Sequence, residues 1–302
     1  MIRHLLVPLD GSPMAEQALP VAADLAARAG ASVTLLHVVE RHPPKAVHGQ
    51  PHLGQADQAE AYLAAVAARA FGPNARVACH VHREAAGDVA KSLVQHVAEL
   101  GPDLIVMSAH GPVRLRDRLS GNLAQQVMTS GVVPVLLLRP GPAPDAAVRF
   151  PFRHLLVPLD GQAEHEESLA PAADLAALLG AAVLLLTVVP TRGSLARHGL
   201  VAADMLPGAS REMLSLGASA AAEYLEGKVA QLAARGLRAA GRVLDGDPAR
   251  AILHAADQAD SDLIVLSTHG KAGTHAFWSG SIGPRLLRRA KASFLLVPAR
   301  PA

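Results

Sequence analysis

The chain contains the same eight-residue segment twice. The letters HLLVPLDG occupy residues 4–11 and again residues 154–161, an offset of 150 residues. The letters DLIV at 103–106 recur at 262–265, where the offset has grown to 159 residues. Internal repetition at a fixed offset is the sequence signature of a duplicated structural unit. The sequence therefore predicts two copies of one domain, with nine additional residues in the middle of the second copy.

The length of the repeat determines what kind of duplication this is. Solenoid repeats are roughly 20–45 residues long and cannot fold alone, whereas a segment of roughly 150 residues can bury a core of its own. The two copies are joined by a stretch rich in proline and glycine, which is typical of a stiff linker. We expect a first domain over residues 1–140, a linker over 141–151 and a second domain over 152–302.

Within each copy, short apolar runs alternate with alanine-rich helical patterns. This alternation predicts a parallel sheet with helices on both faces. The expected fold is α/β, as two tandem doubly wound domains of the Rossmann-like or flavodoxin-like kind, each with a five-stranded parallel sheet. The predicted strands are residues 5–7, 33–39, 77–81, 104–107 and 133–138 in the first copy, and 155–157, 183–189, 239–244, 263–266 and 294–297 in the second.

The first helix of each copy has a defined apolar stripe but an undefined start. Apolar residues recur at helical spacing through residues 18–29, and Ser12 before Pro13 has the properties of a helix N-cap. Pro20 and Pro171 fall inside the pattern, where proline either kinks a helix or marks its first turn. The pattern leaves these two alternatives open.

A spaced glycine loop follows the fourth strand of the second copy. It reads Ser267, two residues, Gly270, nine residues, then Gly280 and Ser281 at the start of a predicted helix. Helix N-termini attract phosphate, and glycine lets the backbone approach closely. Asp160 ends the first strand at the same edge of the sheet, where ligands of open α/β sheets bind. A carboxylate beside a phosphate-binding loop can accept hydrogen bonds from ribose hydroxyls or from an adenine amino group. A nucleotide accounts for both features and is the ligand that we expect.

VPLDG after the first strand, DLIV on the fourth and this spaced loop together resemble the universal stress protein family. Nucleotide-binding members of that family carry Gly-x2-Gly-x9-Gly-Ser/Thr after the fourth strand. The resemblance covers essentially the whole chain, as two fused copies, and implies ATP, with or without Mg²⁺, as the ligand. The residues that the resemblance assigns to ribose, adenine and phosphates in the second copy are Asp160, Val188, Ser267, Gly270, Gly280 and Ser281.

The first copy departs from the motif at the phosphate end. Asp10, Val38, Gly111 and Gly121 stand at the expected positions. Asn122 replaces the hydroxyl residue, although an amide can still cap a helix and donate a hydrogen bond. The resemblance therefore assigns ATP chiefly to the second copy and leaves binding by the first copy open. Both aspartates also fit a plain turn-forming role, and the two valines fit core packing.

The expected function is that of an ATP-binding stress-response module in which nucleotide occupancy regulates conformation or partner binding. No Walker A or adenylyl-transfer signature occurs, and no catalytic residue is assigned. If the chain has enzymatic activity, we expect no more than weak ATP hydrolysis. The alternatives are a ligand-free protein-interaction module and a slow ATPase or adenylyl-handling enzyme.

Composition excludes several partners. Lys and Arg total 28 against 26 Asp and Glu, and aromatic residues make up 3% of the chain, which argues against nucleic acid. No apolar run is long enough to span a bilayer, and Cys79, the single cysteine, cannot form an internal disulfide. His80 and His82 share one strand face without a visible carboxylate, so no metal site is expected. We expect a cytoplasmic homodimer, with an unidentified protein partner as a further alternative. The family resemblance implies pairing through the last strands, which the two copies of one chain could also satisfy between themselves.

Overall fold

The structure is a computed structural model that divides the chain into two compact units. It describes residues 2–41, 46–47, 50–51, 53–109, 127, 133–140, 148–189, 191, 207–268 and 282–298. The first unit comprises Met1–Pro151 together with Ser293–Pro301, and the second comprises Phe152–Ala292.

The first copy alternates strands and helices along the chain. Its elements are β1 (His4–Pro8), α1 (Pro13–Glu16), α2 (Ala18–Ala29), β2 (Ser32–Glu40), β3 (Ala46–Val47), β4 (Gln50–Pro51), α3 (Ala56–Ala70), β5 (Val77–Ala86), α4 (Val89–Leu100), β6 (Leu104–Ser108) and β7 (Val135–Leu138).

The second copy repeats this order. Its elements are β8 (His154–Pro158), a 3₁₀ helix (Ala163–Ser168), α5 (Leu169–Leu179), β9 (Ala182–Val189), α6 (Pro207–Ala234), β10 (Arg238–Asp245), α7 (Pro248–Gln258), β11 (Leu263–Thr268), α8 (Gly283–Arg289) and β12 (Ser293–Pro298).

The strand order is that of a doubly wound sheet in both copies. In the first unit the order is β5-β2-β1-β6-β7, and all four pairings are parallel. In the second unit the order β10-β9-β8-β11 is likewise parallel throughout. The predicted α/β fold is confirmed. The short antiparallel pair β3-β4 carries no apolar pattern and was not predicted.

All ten predicted strands occur. Nine of them extend beyond the predicted ends, whereas β7 starts at Val135, two residues later than predicted. The largest difference is β5, predicted to end at residue 81 and observed to continue to Ala86. The extension contains His82, Arg83 and Glu84, whose polarity hid it from a search for apolar runs. β5 lies at the edge of its sheet, where a strand can be exposed and polar.

Proline explains where the first helix of each copy begins. Ser12 is the N-cap of α1 and its hydroxyl accepts from Ala15 N at 3.2 Å, as predicted. Pro20 is the third residue of α2, and Pro171 the third residue of α5. Backbone N–H groups in the first helical turn have no intrahelical acceptor, so proline costs little there. Both prolines mark a first turn rather than a kink.

The aspartate of the repeated DLIV segment joins the starts of two neighbouring strands. Asp103 Oδ2 accepts from Arg3 N at 2.8 Å and from His4 N at 2.9 Å. The Asp262 carboxylate, which is 4% exposed, accepts from the backbone N–H groups of Arg153 and His154 at 2.8 and 3.1 Å. This part of the repeated motif therefore stabilises the sheet at the edge opposite the predicted site.

The last strands of the two copies pair with each other within the first unit. β12 runs antiparallel to β7, with Leu295 opposite Leu136 and Phe294 opposite Leu137. All four side chains are buried. Pairing through the last strands, which the family resemblance implies, is thus satisfied inside one chain, because the two copies each contribute one strand. No helix in the described ranges is both long and apolar enough to cross a membrane.

Candidate functional site

The chain order reverses beside the first strand of each copy. β8 lies between β9 and β11, and β1 lies between β2 and β6. A reversal of this kind opens a crevice beyond the carboxyl ends of the strands. Asp160 and Asp10 each stand two residues past the first strand of their copy, at this crevice. The predicted aspartates therefore lie at the edge of their sheets where ligands of open α/β folds generally bind.

Asp160 has both carboxylate oxygens engaged. Oδ1 accepts from Gln162 N at 3.0 Å, and Oδ2 lies 2.6 Å from His165 Nδ1. Partial burial raises the pKa of Asp160, but the hydrogen bonds from His165 and from Gln162 N outweigh it and lower the pKa overall. The side chain remains 45% exposed. Asp160 is thus an ionised, oriented and accessible hydrogen-bond acceptor.

Asp10 makes the same turn with fewer bonds. Its Oδ1 accepts from Ser12 N at 2.9 Å, the counterpart of the Gln162 bond. Gly11 and Gly161 follow the two aspartates with φ of +86° and +80°, a region that favours glycine. The turn-forming role considered for both aspartates is therefore present, and at Asp160 it coexists with a second, histidine-bonded oxygen.

Leu53 covers the turn at Gly11 in the crevice of the first copy. The corresponding segment after β9 in the second copy, residues 192–206, lies outside the described residues. A Cβ built on Gly11 would lie 2.8 Å from Leu53 Cδ1, whereas no atom of the described residues lies within 4 Å of the same position on Gly161. Val38, at the end of β2, is 7% exposed, while its counterpart Val188 is half-buried. The backbone of the Leu53 segment is held by buried His37, whose Nε2 lies 3.2 Å from Leu53 O.

The fourth strands carry a serine at or next to their last residue. Ser267 is half-buried and precedes Thr268, the last residue of β11, whereas Ser108 ends β6 with a buried Oγ that has no hydrogen-bond partner in the described part of the chain. The other predicted phosphate ligands lie outside the described residues and stay predictions. These are Gly111, Gly121, Asn122, Gly270, Gly280 and Ser281.

The helix that follows the second glycine loop is anchored by a bidentate ion pair. Arg285 on α8 donates from both terminal nitrogens to Asp247, at 2.9 and 2.7 Å. Asp247 also caps α7 by accepting from Arg250 N at 2.9 Å. Hydrogen bonds from Arg285 lower the pKa of Asp247, and the Arg250 amide acts in the same direction against a smaller burial cost. The Arg285 charge is therefore engaged in fixing α8.

Both tyrosines of the chain make one repeated contact that sequence reasoning missed. Tyr62 donates to Glu16 Oε1 at 3.0 Å, and Tyr224 donates to Glu166 Oε1 at 2.8 Å. The basic partners of the two glutamates are Arg69 and Lys228. Burial and the adjacent glutamate raise the pKa of each phenol. The recurrence of glutamate at the 150-residue offset was the available signal. The contact holds the segment after the first strand against the following long helix.

The histidines on β5 have partners that the sequence did not reveal. His80 and His82 face α4, where the ring centroid of His96 lies 4.6 and 5.0 Å from theirs. His96 Nε2 lies 3.0 Å from His82 Nδ1, and His96 Nδ1 lies 3.0 Å from Glu99 Oε2. The expectation that no carboxylate stands nearby was wrong, since Glu99 comes from a separate helix. Within the described ranges, no group of three or more ligand residues is arranged to hold a metal ion.

This histidine cluster, formed by His80, His82 and His96, is expected to make stability depend on pH. Burial and the neighbouring His80 and His82 rings lower the pKa of His96, and Glu99 only partly opposes this. Below about pH 6.5 the unfolded chain binds a proton that folded His96 resists. The free energy of unfolding should therefore fall as pH decreases through that range.

Denaturant titrations between about pH 8 and about pH 5 measure this slope. His96→Gln should reduce the dependence of the free energy of unfolding on pH, because it removes the imidazole whose pKa is lower in the folded chain than in the unfolded chain. His254→Gln, at an exposed histidine, is the matched control and should leave the slope unchanged. An unchanged slope in His96→Gln would contradict the assignment.

Comparison with known proteins identifies relatives of both copies. The model of the universal stress protein family matches residues 1–139 and 151–298. Universal stress protein Sll1654 of Synechocystis is 28% identical over 138 residues, which cover 46% of this chain and 86% of that protein.

Solved structures of two-copy length share the fold. A universal stress protein from Archaeoglobus fulgidus superposes with a TM-score of 0.71 at 17% identity, and the match covers 98% of each chain. The functionally unknown protein PA1789 of Pseudomonas aeruginosa gives 0.63 at 16% identity, covering 99% of this chain and 93% of that one. At these identities the likeness is one of fold.

Proposed function

Because the chain belongs to the universal stress protein family, we propose that it is a stress-response module that binds ATP in its second copy. Asp160 is the observation that carries the proposal. It is an ionised carboxylate, oriented by two hydrogen bonds and 45% exposed, at the edge of the sheet where ligands of this fold class bind.

The residues present fit a nucleoside. The Asp160 oxygens have lone pairs beyond those used by Gln162 N and His165, and ribose hydroxyls are donors of the matching kind. Half-buried Val188, at the end of the neighbouring strand, offers an apolar contact to a base. ATP would supply the phosphates, for which Gly270, Gly280 and Ser281 are the proposed ligands, with or without Mg²⁺.

Occupancy would regulate rather than drive chemistry. A ligand shifts a conformational equilibrium only if it binds the two conformations with different affinities. We assign this role to ATP: it would bind one conformation of the protein more tightly than the other. No nucleophile with an orienting base is found among the described residues of the crevice, so hydrolysis, if present, is expected to be slow. A cytoplasmic location and a homodimer stay predictions.

The first copy has a different proposed role. Leu53 contacts the turn at Gly11, and Val38 is buried. In the glycine loop, Pro112 follows Gly111, and Asn122 stands where the second copy has Ser281. These features favour a copy that binds nucleotide weakly or not at all and contributes packing and its last strand instead. The ligand-free interaction module considered from the sequence is thus proposed for one copy only.

The test is to denature the purified full chain and quantify released nucleotides per chain by chromatography and mass spectrometry. We expect about one ATP or ADP per chain, in line with one competent copy. Asp160→Ala should abolish the carry-over and Asp10→Ala should leave it intact. Both variants remove the turn hydrogen bond, and Asp160→Ala also removes the contact with His165, so Asp10→Ala controls for the loss of the turn bond.

Two further outcomes are decisive. Release of two nucleotides per chain, falling to one in either variant, would show that the first copy binds as well. No release, together with no increase in Tm on adding ATP, would overturn the proposal for both copies and leave an interaction module. A Gly280→Asp, Ser281→Ala variant then tests the phosphate end separately.

A further inference from the structure

His165 forms a contact at the candidate site that no motif predicts. Its Nδ1 lies 2.6 Å from Asp160 Oδ2, and the ring is largely buried although the carboxylate is not. The His165 backbone is itself fixed, since its N–H donates to Gln162 O at 3.0 Å and its carbonyl accepts from Ser168 Oγ at 2.9 Å. The imidazole therefore reaches Asp160 from a rigid 3₁₀ turn.

The first copy provides an internal comparison. The eight residues up to each glycine are identical in the two copies, but five residues after Asp10 the chain has Ala15 where the second copy has His165. Ala15 N instead serves the α1 N-cap by donating to Ser12 Oγ. The aspartate is thus bonded through one oxygen in the first copy and through both in the second, among the contacts of the described residues.

We infer that His165 is a positioning residue that holds the Asp160 carboxylate in the orientation needed to accept ribose hydroxyls. The inference rests on the proposed nucleotide function. A carboxylate on a free side chain must be immobilised when a ligand binds, which costs affinity, whereas one already held at Oδ1 and Oδ2 has lost that freedom in advance. The same bond helps to keep the carboxyl ionised, because it lowers the pKa of Asp160.

The consequence is specificity for ribonucleotides. His165→Ala should weaken ATP binding roughly three- to tenfold, the range that corresponds to immobilising one side chain. Binding of 2′,3′-dideoxy-ATP should not change, because that analogue has no hydroxyl to donate to Asp160. The variant therefore loses the preference for ATP over the dideoxy analogue. His165→Asn should restore part of it, since an amide nitrogen can replace Nδ1 as a donor.

Calorimetric titration of the nucleotide-free full chain with both nucleotides measures this preference. His254→Ala is the matched control, because it removes an exposed imidazole on α7 that makes no contact with Asp160 among the described residues, and it should keep the wild-type preference. Equal weakening of both nucleotides in His165→Ala, or no change in either, would overturn the positioning role while leaving nucleotide binding intact. A wild-type chain that binds neither nucleotide would overturn the proposed function and this inference together.

Discussion

Replacing Asp262 by alanine is expected to lower the free energy of unfolding of the second unit by about 2–4 kcal/mol. The carboxylate is 4% exposed and accepts from two backbone amides, those of Arg153 and His154, at the start of β8. Alanine removes both charge-assisted bonds and leaves the two donors to be satisfied by water entering a buried position. Asp103→Ala in the first copy should cost less, about 1–2 kcal/mol, because the Asp103 side chain is 29% exposed.

Hydrogen exchange of the β8 amides, followed with increasing denaturant, isolates this effect in a chain with two units. Asp257→Ala is the control. Its ion pair with Lys291 joins two side chains that are 62% and 85% exposed, and its loss should change stability by less than about 0.5 kcal/mol. Equal effects of Asp262→Ala and Asp257→Ala would mean that the DLIV aspartate does not stabilise the sheet.

The prediction for Asp262 illustrates what the sequence could and could not provide. Repetition and βα alternation predicted every strand of the two parallel sheets, because the central strands, buried on both faces, are continuous apolar runs. The exposed edge strand β5 was predicted only in part. The same repetition drew attention to the DLIV aspartates without distinguishing a structural from a functional role. That distinction depends on which edge of the sheet the residue faces, and here the edge is the one opposite the crevice.

The geometry of a local turn and the packing of a helix on a strand account for what sequence reasoning missed. Asp160 was predicted from its position after a strand, but its partner His165 was not, because its approach depends on a 3₁₀ turn rather than the short α-helix of the first copy. The pairing of His96 with the β5 histidines likewise required the packing of α4 on that strand. Periodicity predicts faces and edges, whereas the partner of a polar side chain depends on tertiary geometry.

Gly11→Ala is expected to destabilise the first unit by about 2–5 kcal/mol, more than Gly161→Ala destabilises the second. Both glycines have φ near +80°, where an L-residue costs roughly 1–2 kcal/mol, so this contribution is common to the two variants. At Gly11 the new Cβ would also lie 2.8 Å from Leu53 Cδ1 and 3.0 Å from Leu53 Cγ. Overpacking of this kind adds roughly 1–3 kcal/mol.

Leu53 can relieve this contact only by rotating its side chain, because its backbone is attached to the core. His37, which is 2% exposed, has Nε2 3.2 Å from Leu53 O and Nδ1 2.8 Å from Leu9 O, so displacement of Leu53 strains a contact of a buried ring. Denaturant unfolding monitored by hydrogen exchange in each unit measures separately how much Gly11→Ala destabilises the first unit and how much Gly161→Ala destabilises the second. Leu53→Ala combined with Gly11→Ala should make the glycine substitution about as costly as Gly161→Ala, because only the shared backbone strain then remains. If Gly11→Ala alone already matched Gly161→Ala, Leu53 would not cover the first crevice, and the reason for assigning nucleotide to the second copy alone would be weakened accordingly.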